Sequence, residues 1–406
     1  MTSPPARGGS LSALVAGVFM VETGVFAVVP VLPLYLRDRG VGFGTVGLIV
    51  GAQFVVSFVL QYPMGKLADR FGRRRFLIAG ALIFAIANGA FVVQLGVPAM
   101  FLLRGAQGLG VALFLPAASA LVADLSGPDR RGRAYGWLQA ARIGGLTAGP
   151  AIGGLVAVTG RVRVFELTAL LELSAAVVLA LTVPAHVSHH RDDKTGEARD
   201  LDAESALRRR QRLTFIGVAA VMAGFTFLFG SYSTVWPLFM RGMGASDATV
   251  GLSFTLFGLP LLVVTPLAGW AADHFDRRRL ALLGFAGGGV CAPLYPLVHS
   301  IPLVLAIGVV EASMLAFTDP AIGALVMEDV APGRRAGVQG GVFAVQSFAE
   351  AAGALSGGFL FGLGAGVPFF VGAGLGFVGL VVSVLAFRAG RTPPLVIIGP
   401  TEKGER

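Results

Sequence analysis

Gly65-Lys66-Leu67-Ala68-Asp69-Arg70-Phe71-Gly72-Arg73-Arg74-Arg75 separates two long apolar runs. The chain then reads Gly269-Trp270-Ala271-Ala272-Asp273-His274-Phe275-Asp276-Arg277-Arg278-Arg279 in the same setting, 204 residues later. That shift superposes Gly65, Asp69 and Arg73 on Gly269, Asp273 and Arg277. It also carries Pro33-Leu34-Tyr35-Leu36-Arg37 onto Pro237-Leu238-Phe239-Met240-Arg241, and Thr45-Val46-Gly47 onto Thr249-Val250-Gly251. Pro128, Arg130 and Arg131 meet Pro332, Arg334 and Arg335, while Gly149, Gly153 and Gly154 meet Gly353, Gly357 and Gly358. Chance similarity scatters over many offsets, whereas one gapless register across loops and apolar runs marks a duplicated unit.

The composition places that unit in a membrane. A soluble domain carries about 25% charged residues; this 406-residue chain has 14%, with 55% apolar residues and a mean hydropathy of +0.77. A lone cysteine, Cys291, excludes an intrachain disulfide scaffold. A spanning helix needs about 20 mostly apolar residues. Such runs occur at 11–36, 43–64, 76–96, 99–124, 134–159, 164–183, 213–240, 248–270, 280–299, 302–327, 337–362 and 366–388, giving twelve spans. They are continuous rather than alternating, which excludes an outer-membrane barrel. The first run lacks a small-residue cleavage signal and outruns a signal-peptide core, so it reads as retained.

The net charge of +9 invites a nucleic-acid partner, but its placement argues against one. With the N-terminus inside, the inner segments hold 25 Lys and Arg and the outer loops hold five: Arg37, Arg39, Arg161, Arg163 and Arg241. That asymmetry is the positive-inside signature and puts both termini in the cytoplasm. The reading is an all-α protein of two pseudo-symmetric six-helix bundles, residues 1–185 and 213–389. They are joined by a polar linker at 186–212, with a short helix at 201–210, and followed by a tail at 390–406. Same-orientation repeats around a midplane cavity are a transporter architecture. The Arg-over-Lys bias, 29 to 3, suits a GC-rich prokaryote and hence its cytoplasmic membrane.

The 65–75 segment resembles the signature loop of the major facilitator superfamily. Gly145-Leu146-Thr147-Ala148-Gly149-Pro150-Ala151-Ile152-Gly153-Gly154 in span five resembles the helix motif of the twelve-span drug:proton antiporters. Pro30-Val31-Leu32-Pro33 in span one and Leu103-Arg104-Gly105-Ala106-Gln107-Gly108-Leu109-Gly110 in span four resemble further patterns of that group. Small residues at this spacing bring helix backbones together, and Pro150, replaced by Ala354 in the second half, sets span five apart. The resemblance implies a cytoplasmic gate of Gly65, Asp69, Arg73 and Asp124, echoed by Gly269, Asp273 and Arg277. It also implies a central cavity lined by spans one, four, seven and ten.

Charges at mid-membrane cost about 2.5–3.5 kcal/mol each on insertion scales, so every one of them is a candidate for function. They are Glu22, Arg104, Arg142, Glu166, Glu172, Glu311, Asp319 and Glu350. No histidine joins them, so a proton relay here runs on carboxylates. Glu22, midway along span one, is the first candidate for binding proton and substrate in competition. Glu311 or Asp319 supplies a second proton site, the eight-residue spacing placing both on one face of span ten. The resemblance gives Arg104 a role in tuning the carboxylate and contacting substrate, with Gln107 beside it. At 1.5 Å per residue Arg104 and Glu22 differ in depth by about 13 Å, which argues against a direct pair. Arg142 and Glu172 have matching depths and read as a structural ion pair. Glu350 either packs against Arg142 or water or takes part in coupling. Phe225, Phe229, Tyr232 and Trp236 share one face of span seven, an aromatic wall if it turns inward and a lipid face otherwise.

The expectation is a proton-coupled exporter of hydrophobic and amphipathic small molecules, working by alternating access. Its partners are small-molecule substrates, protons and the bilayer, with no nucleic acid, and the chain acts as a monomer. No metal site, cofactor or enzyme activity is expected, the proton gradient being the energy source. No GxxxxGK[ST] loop is present for nucleotide. The alternative is a dedicated exporter of one compound class, such as a sugar, a tetracycline-like drug or a lipid-linked molecule.

Overall fold

A computed structural model describes residues 7–93, 95–126, 130–184, 201–327, 330 and 335–389. Among these the regular structure is helical, with no strand. Ten segments are long and apolar enough to cross a bilayer. Arg131–Ala157 and Arg335–Leu363 match them in length but are diluted by glycine and polar residues. Together they make twelve spans of a multi-pass membrane protein. Side chains such as Ile86, Leu102, Leu181 and Leu283 stand exposed around the bundle, an apolar surface fit for lipid.

Three spans are broken, each at proline. Span one divides into Arg7–Val28 and Leu32–Asp38 around Pro30 and Pro33. Span nine passes from Arg277–Cys291 into a 3-10 turn, Ala292–Leu297, that holds Pro293 and Pro296. Span ten divides into Ile301–Leu315 and Thr318–Met327. Proline clashes with the carbonyl four residues back, and for Pro320 that carbonyl belongs to Ala316, in the break. This break corrects the reading of span ten as one face: Glu311 and Asp319 sit on different helices.

The expected linker is shorter than 186–212. Span seven is one helix from Leu201 to Gly242, 42 residues, because Ala203, Glu204, Ala206, Leu207 and the arginines that follow favour helix and no Pro or Gly interrupts them. Residues 186–200 and the tail 390–406 lie outside the described residues.

Within the first half, span one packs on spans five and six, and span four on spans two and three. Between the halves, span two packs on span eleven and span five on span eight. Both seams are built on glycine. A Cβ on Gly154 would collide with the Asp247 carbonyl and Gly251, and one on Gly358 with the Phe43 carbonyl and Gly47. Gly154 and Gly358, like Gly47 and Gly251, are mates at the 204-residue shift, so the two seams are one contact made twice.

The other motif glycines face inward within their own half. Gly145, Gly149 and Gly153 lie against the span-one backbone from Glu22 to Ala27, and Gly353 lies against span seven at Phe227. Only at such close approaches is a missing side chain required.

Candidate functional site

Between the halves lies a cavity of about 1140 Å³ of non-atom space, part of it open to solvent. Its walls are mostly aromatic and aliphatic: Phe26, Phe54, Phe229, Trp236, Phe254 and Phe257 contribute rings. Arg104, Glu350, Gln53, Ser233, Ser253, Tyr232 and Tyr295 bring polar groups. The span-seven stripe turns inward, with Phe229, Tyr232 and Trp236 on the cavity wall and Trp236 fixed by its Nε1–H donating to Ser253 Oγ at 2.8 Å. Phe225 lies lower, lining an adjoining pocket of about 320 Å³ with Glu311.

Arg104 is buried and lines the cavity, and Gln107 stands behind it. Arg104 Nη1 donates to Gln107 Oε1 at 2.5 Å, and Gln107 Nε2 donates to Asn88 Oδ1 at 2.8 Å. Asn88 Nδ2 then donates to both oxygens of Glu172 at 3.0 and 2.8 Å. A chain of four side chains thus joins the cavity to a carboxylate with no exposure, on span six. Glu172 fits because span one presents Gly24 to it.

The expected Arg142–Glu172 pair is therefore not formed. Arg142 donates from Nε to Glu22 Oε1 at 3.1 Å and from Nη1 to Gln139. Gly145 rests against Glu22 Cβ, and this close packing of span five on span one brings Arg142, one turn away, to Glu22. Glu22 is buried in that pair and is not on the cavity wall, where its neighbours Val25 and Phe26 stand instead. Of the residues expected on the cavity wall, Glu22 and Gln107 thus stand behind it and Phe225 lines the adjoining pocket.

On the other side, Glu311 is buried and accepts from Tyr295 Oη at 2.5 Å and Tyr232 Oη at 3.3 Å. Both tyrosines line the cavity, so Glu311 backs its wall. The side chain of Asp319 lies outside the described residues. Glu350 lines the cavity with no hydrogen-bond or ion-pair partner among the described residues, and Arg142 is engaged elsewhere. The span-eleven backbone at Glu350 is pinned against Gly230 of span seven.

The gate residues group as their motif suggests in the first half, and among the described residues the second half shows no such group. Gly72, with φ of 108°, turns the chain between spans two and three. Arg73 then donates from Nε to Asp69 at 2.8 Å and from Nη1 to Asp124 at 2.7 Å. Gly65 faces Pro116 of span four. In the repeat, Arg277 bonds the Ala272 carbonyl at 3.1 Å rather than Asp273, and Asp276 caps the helix by accepting from Arg278 and Arg279 N–H; Gly269 has open space before it.

A cluster at the opposite end was not foreseen. Arg161 at the start of span six is paired with Asp38 of span one and, at 2.9 Å, with Asp247 of span eight, which Arg241 approaches at 3.8 Å. It joins the two halves at the end where their backbones touch. Read one loop at a time, Arg161 and Arg241 are only two of the few outer positive charges, and nothing in their neighbourhood marks an ion-pair hub.

The sequence is similar to "Multidrug resistance protein 2" of Bacillus subtilis (strain 168), 26% identical over 380 residues, covering 92% of this chain and 94% of the relative. It is 31% identical to "Quinolone resistance protein NorA" of Staphylococcus aureus over 141 residues, 34% of this chain and 36% of that protein. The fold is that of a bacterial homologue of the human lysosomal transporter Spinster, solved inward-facing and unoccupied. That match has a TM-score of 0.75 at 16% identity, covering 97% of this chain and all of the other. The sequence model of the Major Facilitator Superfamily matches residues 14–245 and 225–404, a stretch that includes the cavity walls of both halves. The chain belongs to the Major Facilitator Superfamily.

Proposed function

We propose that the chain is a proton-coupled exporter of hydrophobic and amphipathic small molecules, a multidrug efflux carrier working by alternating access. The observation that carries this is the aromatic-walled cavity between the halves, with buried carboxylates Glu22 and Glu311 set just behind its lining. Full-length similarity to a multidrug resistance protein supports the same reading. The excess of Lys and Arg on one set of loops puts that end, and both termini, in the cytoplasm of a prokaryote. In this reading the cavity is served from the cytoplasm, because the halves meet at the other end.

Glu22 and Glu311 are the proton carriers in this reading, with Asp319 as a further candidate. Protonating Glu22 removes the charge that holds Arg142. Protonating Glu311 turns one of the two oxygens that accept from Tyr232 and Tyr295 into a hydroxyl, and so reshapes a wall the substrate touches. Each half of the cycle thereby links one carboxyl to one face of the cavity. Asp69, Arg73 and Asp124 close the cytoplasmic end when the cavity faces outward. One proton moving down about 150 mV releases roughly 3.5 kcal/mol, enough for a few-hundredfold gradient of substrate. The monomer needs neither metal nor cofactor and carries out no chemical conversion of its cargo.

Everted membrane vesicles test this. Adding substrate should drive proton efflux, and Glu22→Gln should abolish that efflux while binding persists. Normal coupled transport by Glu22→Gln would shift the role to Glu311 or Asp319. Efflux of one compound class alone, out of a panel of dyes and drugs, would replace the multidrug reading with a dedicated exporter.

A further inference from the structure

Two opposite charges face the cavity and neither neutralises the other. Arg104 belongs to the first half and Glu350 to the second, and no ion pair joins them. A guanidinium has five N–H donors in a planar fork. At Arg104, Nη1 serves Gln107 and the buried Nε has no hydrogen-bond partner. Glu350 can only accept as a carboxylate, and no described group donates to it.

The chain behind Arg104 explains how its charge stays available. Glu172 accepts only, so it turns the Asn88 amide nitrogen towards itself and leaves Asn88 Oδ1 facing Gln107. Gln107 must then present its own nitrogen to Asn88 and its Oε1 to Arg104. The carboxylate thus orients two neutral amides in series and anchors the guanidinium from two residues away. Arg104 is held on the wall without a carboxylate in contact.

Leaving a charge uncompensated in a largely apolar cavity is costly, and a ligand of matching charge relieves that cost. The same cavity is lined by Phe26, Phe54, Phe229, Phe254 and Trp236, whose faces suit a flat conjugated body and a delocalised cation. We propose that the cavity selects amphoteric aromatic compounds, taking the anionic group at Arg104 and the cationic group at Glu350. This rests on the export reading only in placing the cargo in the cavity.

Three dyes on one xanthene skeleton separate the poles. Rhodamine 110 carries a carboxylate and a delocalised cation, rhodamine 123 is its methyl ester and only cationic, and fluorescein keeps the carboxylate without the cation. Binding to purified full-length protein, with no proton gradient, is followed by fluorescence polarisation. Rhodamine 110 should bind about tenfold or more tighter than either analogue, the usual scale for a hydrogen bond to a charged group. Arg104→Gln should bring the rhodamine 110 to rhodamine 123 ratio near one while the advantage over fluorescein stays. Glu350→Gln should do the converse.

Each readout is a ratio within one preparation, so a loss of folded protein cancels. Rhodamine 123 binding as tightly as rhodamine 110 to the unaltered protein, or either ratio surviving its substitution, overturns the proposal. Dye ratios as expected, together with no substrate-driven proton movement in vesicles, would instead remove the export reading and leave the two-pole site standing.

Discussion

The two ends of the bundle use the same ingredients differently. At the arginine-rich end, Arg73 ties Asp69 to Asp124, spans two to four of a single half, and Arg277 and Arg278 bond carbonyls of the other half. At the opposite end, where basic residues are few, Arg161 crosses from one half to Asp247 of the other, and two glycine seams bring the backbones into contact. Charge density therefore does not locate the closure. What closes this state is the approach of helix backbones, with an ion pair laid over it. Rocking the halves must break the contacts of the second end and leaves those of the first intact.

The strongest way to break this contrast is at the seams. Gly154→Leu with Gly358→Leu puts side chains into the facing backbones; overpacking costs about 1–3 kcal/mol per site. Spin labels at Gly42→Cys and Gly242→Cys, in a Cys291→Ala background, should report a wider separation in most molecules. An unchanged distance distribution would show that the seams do not hold this end shut.

Arg161→Ala comes next, because it leaves Asp38 and Asp247 without their shared cation. With Asp38 largely exposed, the loss should be about 1–2 kcal/mol, an order of magnitude in the population closed at this end. The same labels measure it, and Arg161→Lys should restore part of the effect. Thr255 Oγ1 donates to the Thr147 carbonyl across the span-five seam at 2.7 Å. Thr255→Val should weaken closure by about 1 kcal/mol, one hydrogen bond's worth.

Arg73→Gln should have the smallest effect on the labels, with no resolved change in distance. Its pair with Asp124 is mostly buried within one half, so thermal stability should fall by about 1 kcal/mol while the opposite end stays closed. A widened separation in that variant would mean the two ends are not independent in this state.

How far the sequence reached differs residue by residue. Twelve spans, the duplication and the existence of an aromatic stripe on span seven were legible because they are periodic, and periodicity is a property of one chain segment. Which way the stripe turns was decided by packing. The same register relates two residues of the cavity wall. Leu146 lies within the span-five motif, its mate at the 204-residue shift is Glu350, and both line the cavity. That relation places Glu350 on the wall only once the structure has placed Leu146 there. Asn88 carried no such signal, being a neutral amide in an apolar span, although it decides what Glu172 does.

Composition and repeat alone settled that this chain crosses a membrane as two copies of a six-helix unit, since hydrocarbon admits few other ways to satisfy a backbone. Partners were another matter. Arg142 and Glu172 share a depth along the membrane normal, yet Arg142 chose Glu22 and Glu172 chose Asn88. Depth is one coordinate, and which helix faces which is set by where glycines let backbones meet. Only the packed bundle decided that, and with it which charges are spent on one another and which remain open to the cavity.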